Sequence, residues 1–289
     1  MGYLKEDVDV VVDKLKAEAI VRAKNVVEHR GRAPRLTIIA VGDDPASAVY
    51  VKGKTKICRE AGVDVEVVRP EATTEAVTEL IATLNADVSV DAILLQLPLP
   101  DHLDEDELTA LIAPAKDVDG LTAVNVGNRW LGGDGGVTPC TPAGILKFIN
   151  FKLADNAFNS LSGKIVVIVG RSNLVGKPLA AELLRRNATP VLAHSCTSRV
   201  KLNQLLAIAD VVVVAVGKPG VIDETSWIAP GTLVVDVGIN RIDGKLYGDV
   251  SPEVAVDADV TPVPGGVGRL TTASLVVNVC KLAQNDVNV

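Results

Sequence analysis

The stretch from Gly163 to His194 constrains the fold more than any other. Lys164 to Val169 is a short apolar run rich in β-branched residues, the pattern of a parallel strand buried on both faces. Gly170 ends it. Pro178 falls in the expected first turn of a helix, where a missing N–H costs nothing. That helix is expected to run to about Asn187, and Pro190 to His194 reads as the next strand. A strand–turn–helix–strand unit implies a parallel sheet with right-handed crossovers. A glycine-containing turn at this place aims backbone N–H groups and a helix dipole at a phosphate.

The turn matches neither common phosphate fingerprint. Ser172 breaks a G-x-G-x-x-G pattern. A P-loop fails because Gly170 and Gly176 are one residue too far apart and Lys177 is followed by Pro178. The turn alone therefore suits either a cofactor or a tight strand–helix connection. The end of the next strand, His194-Ser195-Cys196-Thr197-Ser198-Arg199, lacks the carboxylate that holds a ribose 2′-hydroxyl. Hydroxyls there, with Arg171 and Arg199 close in sequence, favour NADP over NAD. The competing reading is that these polar residues cap a helix begun by Ser198.

The first half alternates in the same way. Residues 7–29 carry apolar positions at helical spacing. Strands are expected at Arg35 to Val41, Val63 to Val68 and Ala92 to Gln96. Helices are expected at Ala46 to Ala61, Thr74 to Leu84 and Asp104 to Ile112. A helix at Ala143 to Ile149 bridges to the second unit, whose later strands are Val211 to Val216 and Leu233 to Val237. Thr261 to Gly268 is too rich in Pro and Gly for a helix or central strand and reads as a rigid loop. A helix from about Thr271 to Gln284 ends the chain. The fold class is α/β with two domains, and a cleft between them is the default ligand site.

At 289 residues with a net charge of −7, the chain is long enough for two domains and does not read as a general nucleic-acid binder. No apolar run reaches membrane-spanning length; Asp210 interrupts the longest. Cys58, Cys140, Cys196 and Cys280 are scattered, which argues against a disulfide framework or zinc site and for a reducing, cytoplasmic setting. The three histidines suggest no metal site.

Tyr50 and Lys54 share a helix face, with Ser47 one turn earlier. A desolvated lysine can act as a base near neutral pH; most helix-surface lysines are merely solvated. Gln96 ends an apolar strand, where it can orient a lysine or water or simply satisfy the strand terminus. Asp117 and Asp119 lie on a turn, where a carboxylate can accept two N–H bonds from an amino-heterocycle or serve ordinary Asp-Gly turn chemistry. Cys58 and Cys140 are read as packing residues rather than nucleophiles.

Five stretches in register carry a resemblance. They are Tyr50 to Lys56, Leu95 to Pro100, Lys116 to Gly120, Gly170 to Pro178 and Pro262 to Gly268. Together they resemble the bifunctional methylenetetrahydrofolate dehydrogenase/methenyltetrahydrofolate cyclohydrolases. The resemblance implies a catalytic, folate-binding domain of residues 1–141 and 271–289, and a Rossmann-like NADP-binding domain of residues 142–270. It implies Lys54 as the central catalytic lysine, with Tyr50 beside it at the pterin, Gln96 bonded to Lys54 and Asp119 on the pterin's amino-pyrimidine edge. Pro262, Val263, Pro264, Gly265 and Gly266 would line the folate site. Gly170, Arg171, Ser172, Ser195 and Ile239 would contact NADP. The family implies a cytoplasmic homodimer that binds tetrahydrofolates and neither nucleic acid nor membrane, and that feeds one-carbon units to purine, methionine and histidine synthesis. A dehydrogenase without the second activity and a non-catalytic nucleotide-binding module are the competing readings. Two departures stand out: Arg269-Leu270 replaces the family's Pro-Met, and the usual short N-terminal strand is not evident.

Overall fold

The computed structural model describes residues 1–153 and 161–285. The chain divides into two compact units, one of Met1–Asp13 with Thr141–Thr271 and one of Lys14–Cys140 with Thr272–Val289.

The larger sheet belongs to the first of these. It has six strands, all paired in parallel. Its strands are β1 (Gly2–Tyr3), β5 (Ile165–Val169), β6 (Thr189–Ala193), β7 (Val211–Val214), β8 (Leu233–Asp236) and β11 (Asp259–Val260), in the order β1-β11-β8-β7-β5-β6. From β5 the chain passes through helix α7 (Gly176–Leu184) to β6 on one side, then crosses through α8 (Arg199–Leu206) to β7 on the other. The direction of winding therefore reverses between β5 and β7, and open α/β sheets bind ligands at such a point, beyond the strands' carboxyl ends. Val166, Val167, Ile168 and Val211 to Val214 are wholly buried, as strands covered on both faces require. The hairpin β9 (Asn240–Ile242) and β10 (Lys245–Tyr247) stands as a separate ribbon.

The second unit holds a three-stranded parallel sheet, β3-β2-β4, formed by β2 (Arg35–Ile39), β3 (Asp64–Val68) and β4 (Ala92–Leu95). Its connecting helices are α2 (Pro45–Glu60) and α3 (Thr74–Ala86); α4 (Glu105–Ala110) and α5 (Ala123–Trp130) follow the last strand. Val77, Ile81 and Leu84 of α3 pack with Ile39, Ile93 and Leu95 in one apolar cluster. Thr73 caps α3 by accepting from the N–H of Ala76, and Asp104 caps α4 by accepting from that of Glu107.

Three differences from the sequence reading have physical causes. The first 13 residues join the unit of the six-stranded sheet rather than that of the three-stranded sheet. Gly2 donates to the Ala258 carbonyl and Leu4 to that of Val260, at 3.1 and 2.9 Å, and α1 (Lys5–Arg30) begins there before running into the other unit. The N-terminal strand is thus present, but two residues are too few to show a period. Second, α9 (Val267–Asn285) starts four residues earlier than expected and takes Val267 and Gly268 out of the rigid loop. Third, Arg269 and Leu270 are accommodated within this unit: Arg269 pairs with Asp9, and Leu270 packs tightly against Gly144 of α6 (Cys140–Lys152).

Candidate functional site

The sequence-predicted residues fall on both units, so two clusters result. In the second unit, α2 carries Tyr50 and Lys54 one turn apart. Tyr50 is exposed and Lys54 half-buried. Gln96 directly follows β4 and is buried, at 5% exposure. Lys54 Nζ donates to Gln96 Oε1 at 2.9 Å, and the Gln96 amide donates onward to the Leu97 carbonyl. The Gln96 N–H is tied to the Ile39 carbonyl at 2.9 Å, so the sheet fixes where this glutamine begins. The amide's oxygen faces the lysine because its nitrogen is committed elsewhere.

Asp119 joins the same cluster. Burial pushes its carboxyl above the usual carboxylate range, while the charge of Lys54 and a hydrogen bond with Cys140 pull the other way. A half-buried lysine bonded to a buried amide, with a carboxyl near enough to feel its charge, offers a donor and an acceptor to a planar N–H donor edge. Asp117, weighed equally in sequence, takes a different role. Its Oδ2 accepts from the Thr122 N–H and the Asn125 amide at 2.8 and 2.9 Å, and it is buried, so it holds the start of α5. Burial raises the Cys58 thiol to about 12 and lifts that of Cys140 well above its ordinary value, which suits neither to nucleophilic attack.

The second cluster lies at the carboxyl ends of the six-stranded sheet. Gly170 follows β5 at the switch point, with φ of 130°. A Cβ there would run into the Ala215 carbonyl, just past the end of β7. A Cβ on Gly176, at the start of α7, would strike the Gly170 carbonyl. The two glycines let the Gly170–Gly176 turn fold onto itself at the place where a dinucleotide's phosphates meet a helix start. Arg171 and Ser172 are exposed on that turn; the Ser172 hydroxyl accepts from the Val175 N–H at 3.1 Å. Ser195 is exposed just past β6. Ser198 does cap α8, accepting from the Lys201 N–H, as the capping reading of this stretch expects.

Arg199 departs from expectation. Its guanidinium is spent on the Val221 carbonyl, Asp223, Thr225 and Ser226, where it pins the 221–226 loop. Arg171 is left as the better partner for a 2′-phosphate. No carboxylate stands at residues 194–198, so the donor set fits NADP.

Two buried aspartates that sequence reasoning missed build the neighbouring loops. Asp249 accepts from the N–H groups of Val216, Gly217 and Lys218 and from the Asn240 amide. Asp236 accepts from the N–H groups of Gly238, Asp249 and Val250. Burial raises Asp236 to about 6, against the opposing pull of those three N–H groups. Both carboxylates gather loops distant in sequence, and only the fold brings their partners together. They set the backbone on which Ile239 stands exposed. The loop Pro262 to Gly266 runs between β11 and α9 in this unit. Thr261 anchors it by accepting from the Asp236 N–H at 2.8 Å, and Gly266 accepts from Arg269.

Among the described residues, no group of three or more His, Cys, Asp or Glu could hold a metal, and no helix is long and apolar enough to cross a membrane.

Comparison with known proteins matches both halves of the chain. The family model "tetrahydrofolate dehydrogenase/cyclohydrolase, catalytic domain" matches residues 7–119. Its companion, "NAD(P)-binding domain", matches residues 139–287. The chain is 49% identical over 253 residues to the bifunctional protein FolD of Thermus thermophilus, covering 86% of each chain. It is 45% identical over 279 residues to that of Anaeromyxobacter dehalogenans, covering 95% of this chain and 96% of the relative. The crystal structure of the bifunctional enzyme FolD, a methylenetetrahydrofolate dehydrogenase/cyclohydrolase from Campylobacter jejuni, superposes with a TM-score of 0.89 at 40% identity, covering 97% and 98% of the two chains. The Trypanosoma brucei dehydrogenase-cyclohydrolase, solved with NADP cofactor and an inhibitor, gives 0.90 at 30% identity over the whole of both chains. With both halves matched in order along nearly the whole length, the chain belongs to the tetrahydrofolate dehydrogenase/cyclohydrolase family.

Proposed function

We propose that this protein oxidises 5,10-methylenetetrahydrofolate to 5,10-methenyltetrahydrofolate with NADP and hydrolyses the product to 10-formyltetrahydrofolate. The observation that carries the second activity is the Lys54–Gln96 bond of 2.9 Å beside Asp119. A dehydrogenase needs only alignment of folate and cofactor; a hydrolase also needs a group that moves protons.

Asp119 accepts N–H bonds from the amino-pyrimidine edge of the pterin, and Tyr50 lies against the ring. The residues Pro262, Val263, Pro264, Gly265 and Gly266 serve as the folate-lining loop. NADP, when bound, supplies the hydride acceptor. Gly170, Arg171, Ser172, Ser195 and Ile239 would hold it, with Arg171 and Ser195 on the 2′-phosphate. In the hydrolysis, water adds to the carbon of the methenyl cation and gives up both its protons, one passing to N5 as the N5–carbon bond opens and one released to solvent, which leaves the N10-formyl group. Lys54 takes a proton from the water and returns it to N5, and Gln96 holds the lysine in position. Four free cysteines suit a reducing cytoplasm. There we place the protein as a homodimer feeding one-carbon units to purine, methionine and histidine synthesis.

The test follows methylenetetrahydrofolate with NADP or NAD in parallel by absorbance. NADPH formation with little methenyl build-up is expected. Accumulating methenyl would remove the hydrolase from the proposal, and no reduction of either cofactor would defeat it altogether.

A further inference from the structure

Asp249 is wholly buried, and its carboxylate gathers donors from two stretches of backbone. Oδ2 accepts from the N–H groups of Val216 and Gly217 at 2.7 and 2.9 Å. Oδ1 accepts from the Lys218 N–H and from the Asn240 amide, both at 2.9 Å. Successive backbone N–H groups turned onto one anion form a nest, and here the chain's own carboxylate fills it. Gly217 has a φ of 72°, which lets the backbone curl in this way. The Asp249 main-chain carbonyl takes two further N–H groups of the same loop, Val221 at 2.9 Å and Ile222 at 3.4 Å. One residue thus sets the path of the chain as it leaves β7. With its N–H groups turned inward, the loop shows Val216 and Lys218 to solvent. The carboxylate also shapes the segment that leaves β8, because a Cβ at Gly238 would run into Asp249 Oδ1. Ala215, whose carbonyl the Gly170 turn folds against, directly precedes the nest, and Ile239 directly follows Gly238.

We infer that Asp249 is a positioning residue for the dinucleotide: without touching it, the buried carboxylate shapes residues 216–218 and 238–240, which wall the crevice beyond the carboxyl ends of β7 and β8. The inference rests on the reading that NADP lies at the Gly170 turn. Burying a carboxylate is costly unless hydrogen bonds meet its charge, and four donors meet this one. Each oxygen serves two donors, so an amide in its place would point an NH2 group at two N–H groups and leave them without an acceptor. The loop would then have to shift to reach water. Because the nest is filled, its N–H groups are not on offer to the pyrophosphate, which is left to the Gly170 turn and the start of α7.

The experiment is calorimetric binding of NADP, with kcat and the KM for each substrate, on the full-length parent, Asp249→Asn and Asp223→Asn. Asp249→Asn should raise the Kd and KM for NADP about tenfold or more, the size of one hydrogen bond to a charged group. Its kcat at saturating NADP and its KM for methylenetetrahydrofolate should stay within about threefold of the parent, as a loss of binding alone requires. Asp223 pins the neighbouring turn through Thr225 and Arg199 rather than the nest, so Asp223→Asn should leave NADP affinity within about threefold. Unchanged NADP affinity in Asp249→Asn, a kcat that falls as far as the affinity, or an equal loss in Asp223→Asn would overturn the inference. Should Asp249→Asn not fold, Asn240→Ala decides. It removes the fourth donor and should raise the Kd for NADP about three- to tenfold; an unchanged Kd would overturn the inference. No binding of NADP by the parent would instead remove the underlying cofactor reading, which the same calorimetry measures first.

Discussion

Replacing Lys54 by Met is the sharpest perturbation of the proposed chemistry. Methionine matches the length of the lysine stem and removes the ammonium alone. The structural cost is bounded by Gln96, which is buried and would lose the donor now 2.9 Å from its Oε1. An acceptor left unpartnered in this way costs about 1–3 kcal/mol, which a unit with its own apolar cluster can absorb without unfolding. The catalytic cost is larger. Loss of a positioned general acid–base lowers the rate roughly 10²- to 10⁴-fold, or about 3–5 kcal/mol of barrier. Hydrolysis of methenyltetrahydrofolate, followed as its absorbance decays, should fall by that factor. NADP affinity, measured calorimetrically, should remain near that of the parent, because Gly170 to Ser172 lie in the other unit. Hydrolysis within about threefold of the parent, below any general acid–base contribution, would refute Lys54 as the proton carrier.

Three further outcomes are expected. Gly170→Ala drives a Cβ into the Ala215 carbonyl at a φ of 130°, a strain of about 1–3 kcal/mol; NADP affinity should fall roughly tenfold or more, and an unchanged affinity would dismiss the cradle. Arg171→Ala should raise the KM for NADP about ten- to a hundredfold, from the loss of a charge-assisted bond. It should leave the KM for NAD almost unaltered, and equal effects on the two would exclude a 2′-phosphate contact. Asp236 has a folded value of about 6, raised by burial, so the folded state holds its proton more tightly than the unfolded chain does. Its contribution is therefore most favourable below about pH 4 and declines as pH rises to about 6, by about 3 kcal/mol, then stays flat. Denaturant titrations of the parent and Asp236→Asn across this range should show their stability difference shifting by that order, and a pH-independent difference would contradict the buried assignment.

The elements that carry the candidate site were legible in the sequence because their signals are local. Helical spacing put Tyr50 and Lys54 on one face and an apolar strand put Gln96 at its end, while the roles expected of them came from the family resemblance. The Gly170 turn announced itself by its neighbours on both sides. The segments that escaped were short or depended on remote partners. β1 is two residues long and exists because β11 offers it an edge. α5 has no counterpart among the elements expected from sequence, since its start is held by Asp117 from an earlier turn.

The sequence by itself determined the alternation of strand and helix, the switch from β5 toward a nucleotide-binding turn, and the absence of a carboxylate at the end of β6. Each of these follows from side-chain period or from residue type at a fixed offset. Tertiary structure alone decided between residues of like chemistry. Asp117 and Asp119 are two positions apart, yet one is spent on the Thr122 N–H and the Asn125 amide, while the other is pushed up by burial against the opposing charge of Lys54. Arg171 and Arg199 looked equally suited to a phosphate until the 221–226 loop claimed the second. Asp249 carried no signal in the chain, because its partners on the loop after β7 lie 31 to 33 residues away. A charge or amide is the same group wherever it occurs, and its task is set by whichever donors and acceptors the fold brings within about 3 Å of it.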